Sequence, residues 1–425
     1  MLDIKYILDH LEEIREISQK RQVHADLDGL LACYAERKNS MLNLENKRAE
    51  ANRIAKTIPT AAATDKQALI DQGRNLNQEI SKIEETVRHL DDVYQTALYT
   101  IPNLLAPDTP LGATDEENVV LRKHLEPRVF EFQPKDHLEL GKALDIIDFD
   151  SGAKVTGSKF YFLKNDAVLL ELALQLFALK VAKEFGYTQL ITPDMAKKSV
   201  LIGTGYSPRG EESNIYNIED LDLSLIATAE ITVGGIHSGD ILEEAQLPLK
   251  YVALSHCFRR EAGSAGRESK GLYRVHQFSK IELFQITTPE TGDAALEEIL
   301  ALEESIYQKL GLPYRVVRIC AGDLGAPAYK KYDIEAWMPG RDSAEKYGEV
   351  TSASNCTDFQ SRRLNMRYRT SDNSKRYPYT LNGTAIALSR TLIAILENYQ
   401  EADGSIRIPE VLQAYMGKTC ITAEN

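Results

Sequence analysis

Residues 256–284, HCFRREAGSAGRESKGLYRVHQFSKIELF, bring basic, acidic and aromatic side chains into one short stretch. Its two halves alternate like strands and a glycine-rich, charged loop joins them, so it reads as a long antiparallel hairpin. Alternation sets Cys257, Arg259 and Glu261 on one face of the first arm, and His256, Phe258 and Arg260 on the other. On the second arm it groups His276, Phe278, Lys280 and Glu282, with Val275, Ile281 and Leu283 opposite. One sheet face then presents a guanidinium, a flat ring and carboxylates together. That set suits a nucleotide beside a small zwitterion: cation for phosphate, ring for base, carboxylate for an ammonium or hydroxyl. The plainer alternative is a basic ribbon solvated at the surface.

Three more stretches carry residues fit for chemistry. From 383 to 398 a helical pattern has only two charged side chains, Arg390 and Glu397, among Ile386, Leu388, Leu392, Ile393, Ile395 and Leu396. An arginine in so apolar a helix is costly unless an anion meets it, either a bound phosphate or an internal acid. The run 225–230, LIATAE, ends an apolar strand-like segment on Glu230, which could equally cap or pair at a surface turn. The run 349–355, EVTSASN, precedes Asp358, Gln360, Arg362 and Arg363, and alternation places Glu349, Thr351 and Ala353 on one face. Taken alone it is an ordinary polar strand.

The elements that must hold these residues are legible too. Residues 166–185 are apolar almost all round, which predicts a helix buried on more than one side. Gly186, a short strand over 188–192 and Pro193 follow. Further upstream lie two heptad seams. One runs through Leu30, Tyr34, Arg37, Met41, Leu44, Arg48, Ala51 and Ala55; the other runs through Leu69, Gly73, Leu76, Ile80, Ile83, Val87, Leu90, Tyr94 and Ala97. The proline-bearing IPTAAAT at 58–64 breaks the pattern between them and reverses the chain. The product is an antiparallel two-helix coiled coil with legs of roughly 45 Å. Its first leg is basic and its second acidic, so it offers phosphate contacts, or serves as a dimerising or spacing hairpin. Prolines in TIPNLLAPDTP, 100–110, mark a domain boundary.

Composition narrows the function classes. The chain has 425 residues and a net charge of −13, with a pI near 5.3, which excludes a protein that coats nucleic acid through bulk charge. Its five cysteines, Cys33, Cys257, Cys320, Cys356 and Cys420, are scattered, so neither a disulfide framework nor a zinc site is expected. No apolar run approaches the length of about 18 residues that a membrane span needs. A soluble, cytoplasmic protein with no membrane partner is expected.

The string FRREAGSAGRESKGLYRVHQF resembles motif 2 of the class II aminoacyl-tRNA synthetases, in the form carried by the bacterial and organellar seryl-tRNA synthetases. ATAE at 227–230 and TLNGTAIALSRTLIAILENYQ at 380–400 resemble further segments of that family, and the helix and strand over 167–193 look like its motif 1. Motif 2 then spans about 254–284 and motif 3 about 379–400. Four segments agree in order and spacing, and the resemblance runs from the first residues to about Met416.

The resemblance implies an α+β fold, an antiparallel sheet flanked by helices, preceded by the antiparallel two-helix coiled coil. It implies a tRNA-binding domain over 1–105, with its arm at about 27–98, and a catalytic domain over 106–425. The reaction would join ATP and L-serine into seryl-adenylate and pyrophosphate, then pass serine to tRNA(Ser), with a selenocysteine tRNA as a second candidate acceptor. The residues carried over are Arg259 and Arg390 for catalysis, on the α- and γ-phosphates. Serine would meet Thr228, Ala229, Glu230, Glu282 and Thr384. ATP would meet Arg259, Arg260, Glu261, Val275, Phe278, Glu349, Val350, Thr351, Ser352 and Arg390. Glu349 and Ser352 would ligate Mg²⁺, hard oxygen donors for a hard cation. The loop 263–270, with Arg267 and Lys270, would meet the tRNA acceptor end, and the motif 1 helix would form a homodimer.

Ala227 stands where the family usually has proline, Thr384 where many relatives have serine, and Ala385 where many have glycine. Two rivals remain. A ligase loading a carrier protein would have no use for the arm, and a non-catalytic tRNA-binding relative would not need Arg259, Glu282 and Arg390.

Overall fold

A computed structural model describes residues 1–206, 214–261, 270–343 and 345–423, so Arg267 and most of its loop lie outside the described residues. The chain divides into two units, 1–102 and 103–425.

The first unit is helical: α1 (Ile4–Asp9), α2 (Leu11–Lys20), α3 (Leu27–Thr57) and α4 (Ala63–Thr100). Asp26 starts α3 by accepting the Gly29 N–H at 2.9 Å. A short 3₁₀ turn at Ile58–Thr60 reverses the chain. Lys47 pairs with Glu79 and Arg48 with Glu84, both at 2.7 Å, and Arg37 pairs with Asp91, which fixes an antiparallel register. At about 1.5 Å per residue the 31 and 38 residues of α3 and α4 span roughly 46 and 57 Å.

The second seam lies where the heptads place it, with Leu76, Leu90 and Tyr94 buried. The first holds at Leu30 and Leu44, with Tyr34, Arg37 and Ala51 half-buried, and fails at three of its eight positions. Cys33 and Ile54 are buried and Met41, Arg48 and Ala55 exposed, so the inward positions after Leu30 and Ala51 come three residues on, not four. Cys33 sits inside because its thiol fits against the Leu90 carbonyl at 3.6 Å, where the larger Tyr34 stays at the rim.

The second unit is built on an eight-stranded sheet. Its strands are β1 (Val119–His124), β2 (Thr188–Ile191), β3 (Leu249–Phe258), β4 (Gln277–Thr287), β5 (Tyr314–Arg318), β6 (Lys330–Trp337), β7 (Tyr347–Asn355) and β8 (Tyr379–Ala387). They lie in the order β1-β5-β6-β7-β8-β4-β3-β2, antiparallel except for β2 beside β3. On β4 the odd residues Ile281 and Leu283 point into a core shared with α6 (Asp166–Glu184), α8 (Gly292–Lys309) and α9 (Leu388–Asn398). The even residues face the other way, toward α7 (Ala229–Gly235), where Phe284 packs with Ala229 and Val233. A further helix, α5 (His137–Ala143), opens on Asp136, whose side chain caps it.

Helix α6 departs from its expected burial on more than one side. Leu170, Leu174 and Phe177 are buried, but Leu169, Leu172 and Leu176 are 45%, 49% and 57% exposed. Ile191 on the edge strand β2 is 83% exposed, so this unit presents apolar surface on both elements. Among the described residues no helix is long and apolar enough to cross a membrane.

Candidate active site

The even face of β4 supplies Phe278, Lys280 and Glu282 to a cavity of about 250 Å³. Its neighbours supply more. Thr384 lies opposite Glu282 on β8, and Arg259 follows the end of β3. Two bulges adjust the lining. Ala385 is the extra residue on β8, and Val350 is the extra residue on β7. The second corrects the alternation expected for 349–355. Glu349 faces β6 beside Glu335, two residues along from Asp333, the partner of Ser352, so Glu349 and Ser352 share the cavity side. Thr351 still borders the cavity, but its hydroxyl donates to the buried Glu303 at 2.8 Å.

The hairpin also departs from simple alternation at one point. Regular pairing of the second arm begins at Gln277, so Val275 and His276 do not continue its faces. Val275 lines the cavity, whereas His276 places Nδ1 at 2.8 Å from the Arg259 carbonyl and its ring 5.3 Å from that of Phe160.

One end of the cavity is acidic. Thr228 caps α7 with its hydroxyl, accepting the Glu230 N–H at 3.3 Å. Glu230 is buried; one carboxyl oxygen accepts from Gln360 at 2.6 Å and Asn382 at 2.9 Å, the other from the Tyr206 hydroxyl at 2.9 Å. Burial and the neighbouring Glu282 push its carboxyl up to about 7, against the opposing pull of those hydrogen bonds and of Lys280. Burial raises Glu282 too, although its ion pair with Lys280 and the Thr228 hydroxyl favour the charge. The Lys280 ammonium reaches the Thr384 hydroxyl at 3.5 Å.

The other end is rich in cations: Arg259, Arg274, Lys331 and Arg390. The Arg259 guanidinium lies 5.2 Å from the centre of the Phe278 ring, and its Nε donates to the Ala227 carbonyl at 3.4 Å. Arg390, in the first turn of α9, donates to the Glu349 carbonyl at 3.0 Å and meets the Glu349 carboxylate at 3.1 Å. Arg274 holds Glu261 at 2.5 Å. The enclosed site disfavours charge on Glu349, yet Arg390 and Lys331 hold its carboxyl well below the usual carboxylate range. Burial raises the neighbouring Asp333, which Lys331 approaches at 3.1 Å.

Of the residues singled out from sequence, Glu230, Arg259, Glu261, Val275, Phe278, Glu282, Glu349, Val350, Thr351, Ser352, Thr384 and Arg390 border this one cavity. Thr228 and Ala229 lie buried behind Glu230 and set its position. Arg260 is not among the lining residues; its backbone N–H donates to the Asn214 carbonyl at 3.0 Å. Tyr206, Tyr273, Arg274, Lys331 and Ser389 line the cavity without having been picked out. Lys331 and Asp333 had a signal, the alternation of KKYDIEAW, while Tyr206 had none.

Comparison with known proteins adds the family. The profile of the "Seryl-tRNA synthetase N-terminal domain" matches residues 1–105, and that of the "tRNA synthetase class II core domain (G, H, P, S and T)" matches 216–399. The serine–tRNA ligase of Treponema denticola is 49% identical over 98% of this chain and 99% of its own length. That of Rubrobacter xylanophilus is 51% identical over 99% of each. The structure of the seryl-tRNA synthetase of Pyrococcus horikoshii complexed with ATP superposes with a TM-score of 0.88, at 41% identity and over 100% of both chains. That of the cytoplasmic enzyme of Naegleria fowleri in complex with AMP gives 0.82, at 32% identity, over 97% of this chain and 96% of that one.

Proposed function

The chain belongs to the seryl-tRNA synthetases, and from that premise we propose how its cavity works. The protein is a serine–tRNA ligase: it activates L-serine with ATP to seryl-adenylate and pyrophosphate, then transfers serine to tRNA and releases AMP. The observation that carries the assignment of ends is the charge division of one cavity, with Glu230 and Glu282 at one end and Arg259, Arg274 and Arg390 at the other.

Serine binds at the acidic end. Its ammonium takes the place of a missing cation beside Glu230, and its hydroxyl meets Glu282 and Thr384. Alanine and glycine leave those buried groups unpaired, which gives discrimination without an editing site. ATP binds at the basic end, its adenine on the Phe278 ring, with Glu261, Val275, Val350, Thr351 and Ser352 around it. The serine carboxylate attacks the α-phosphorus, and the bond to the bridging oxygen of pyrophosphate breaks. Arg259 meets the charge that builds on the α-phosphate, and Arg390 meets the γ-phosphate, so both act more strongly on the transition state than on the ground state. No side-chain nucleophile is needed. Glu349 and Ser352 would hold Mg²⁺, since one stays ionised and the other adds a neutral oxygen. Bound there, the ion neutralises phosphate charge.

The domain division at 105/106 follows the same reading. Residues 1–105 hold the long variable region of tRNA(Ser) with the arm, and Lys270 stands at the base of the loop that meets the acceptor end. The bare apolar faces of α6 and β2 support a homodimer, each covering the other's Leu169, Leu172, Leu176 and Ile191. A cytoplasmic site of action accords with the naming of the Naegleria relative.

The test is exchange of labelled pyrophosphate into ATP with serine, threonine, alanine or glycine, then charging of tRNA(Ser) with and without residues 27–100. Exchange with serine alone, and charging lost with the arm while exchange survives, is the expected result. Exchange that charges no tRNA points to a carrier-protein ligase, and no exchange at all removes the catalytic reading.

A further inference from the structure

Two buried titratable groups beside the cavity have no part in the reaction as described, His137 and Glu397. Arg390 and Glu397 are the two charged side chains of α9, yet they do not pair with each other. One oxygen of Glu397 lies 3.0 Å from the backbone nitrogen of His137 and 2.9 Å from its Nδ1, and the other accepts the Gly340 N–H at 2.8 Å. With the imidazole proton on Nδ1 for the carboxylate, Nε2 is left as an acceptor. The Leu272 N–H donates to it at 3.2 Å.

Leu272 sits in the turn Gly271–Tyr273, and the turn reaches the imidazole only because residue 271 has no side chain. A Cβ there would stand 2.1 Å from His137 Nε2, and the backbone has φ +57°. The next residue does the work at the cavity. The Tyr273 carbonyl accepts from Arg390 Nε at 3.3 Å, and the Tyr273 ring lies 4.5 Å from the Arg390 guanidinium. Arg341 lies 4.3 Å from the same ring. A chain of direct contacts therefore runs from Glu397 through His137 and Leu272 to Tyr273 and Arg390.

We infer that His137 and Glu397 are positioning residues of the ATP site: they hold the Gly271–Tyr273 turn against α9, and that turn aims the Arg390 guanidinium. The inference rests on the assignment of Arg390 to the nucleotide. Arginine has a long, rotamer-rich side chain. If the Tyr273 carbonyl drifts, Nε loses its acceptor and the guanidinium is left to follow Glu349 alone. A misplacement of about 1 Å in such a group costs up to about 100-fold in rate.

ATP affinity by calorimetry tests this in full-length protein, for His137→Ala, His137→Gln and Glu397→Gln, each alone and combined with Arg390→Ala. His137→Ala is expected to weaken ATP binding about tenfold, with KM for serine changed less than about twofold. Glutamine at 137 presents an oxygen to Leu272 and an amide to Glu397, so His137→Gln restores most of the loss. In the Arg390→Ala background His137→Ala adds less than about twofold, because the group it positions is gone. Equal losses in both backgrounds overturn the inference, as does a lowered melting temperature with ATP affinity intact, which marks a purely structural pair. Should His137→Ala fail to fold, His137→Gln and Glu397→Gln carry the same cycle. If Arg390→Ala alone leaves ATP affinity unchanged, the nucleotide role of Arg390 fails instead, a separate outcome.

Discussion

The two ends of the cavity treat a carboxylate in opposite ways. Glu230 is raised to about 7 by burial and by Glu282, with Lys280 as the nearby cation that both acids share. Glu349 sits against the same sheet with its side chain 41% exposed, and Arg390, Lys331 and Arg259 keep it ionised. The difference teaches that burial and charge balance act together: the deeply buried acid is raised and the half-exposed one beside arginines is held low. A shortage of cations at Glu230 is a standing demand for an ammonium. A surplus around Glu349 is a standing demand for phosphate.

Removing the cation that dominates the basic end should break the contrast most severely. Arg390→Ala takes away the γ-phosphate contact proposed for it and leaves Glu349 without the guanidinium it pairs with. A loss of about 10³-fold in kcat/KM for ATP in pyrophosphate exchange is expected. Serine affinity should stay within about threefold, because Arg390 lies at the far end from Glu230. A comparable loss for both substrates would mean that the two ends are not separable.

The mirror-image change is smaller. Glu230→Gln keeps the shape of the side chain and removes the charge proposed to meet the serine ammonium. A charge-assisted hydrogen bond of this kind is worth about 1.5–3 kcal/mol, so kcat/KM for serine should fall roughly 10- to 100-fold with KM for ATP little changed. An unaltered KM for serine would place the ammonium elsewhere.

The contrast was only partly legible in the sequence. The arm was the easier region, since helical periodicity is local: the second seam from Leu69 to Ala97 could be read residue by residue. Even there, three of the eight positions of the first seam, Met41, Arg48 and Ala55, lie exposed, and the more apolar Ile54 is buried where Ala55 was expected. The sheet face could be read along β4, where alternation is unbroken from Phe278 to Phe284. It could not be read through Val350 or Ala385, because a bulge resets parity without a fixed residue signature. The partners of Glu230 are further out of reach. Tyr206 and Gln360 come from two distant segments that only strand order and helix packing bring together. Family resemblance picked out acids and arginines that the fold gathers around one cavity, while the contacts that set their charge came from the fold.

Acidity tests the contrast more gently. Glu230 titrates near 7, so below that pH an increasing share of free enzyme carries a neutral carboxyl at the serine end. The KM for serine should rise as pH falls below about 7 and level off roughly 10- to 100-fold higher, where the carboxyl is neutral, while the serine ammonium itself stays charged. Glu349, held low, remains ionised across that range and adds no matching dependence at the basic end. In Glu230→Gln the rise with falling pH should vanish, and its persistence would move the titrating group to another residue.

The smallest effect is on stability, and it has the opposite sign to the loss of function. Glu230 is raised in the folded protein relative to its ordinary value, so it is protonated in both states at low pH and costs nothing there. As pH rises, the unfolded chain releases its proton first. The penalty grows through that interval and is fully present above about pH 7, at roughly 2–4 kcal/mol for a shift of this size. Glutamine suits the same hydrogen bonds. Its oxygen can replace the one that accepts from Gln360 and Asn382, and its amide can donate to the Tyr206 hydroxyl. Glu230→Gln should therefore melt higher than the parent at pH 8, with the gap closing toward pH 5. A variant less stable than the parent at pH 8 would mean that Glu230 is not held under electrostatic stress, and the two ends of the cavity would then differ in ligand but not in kind.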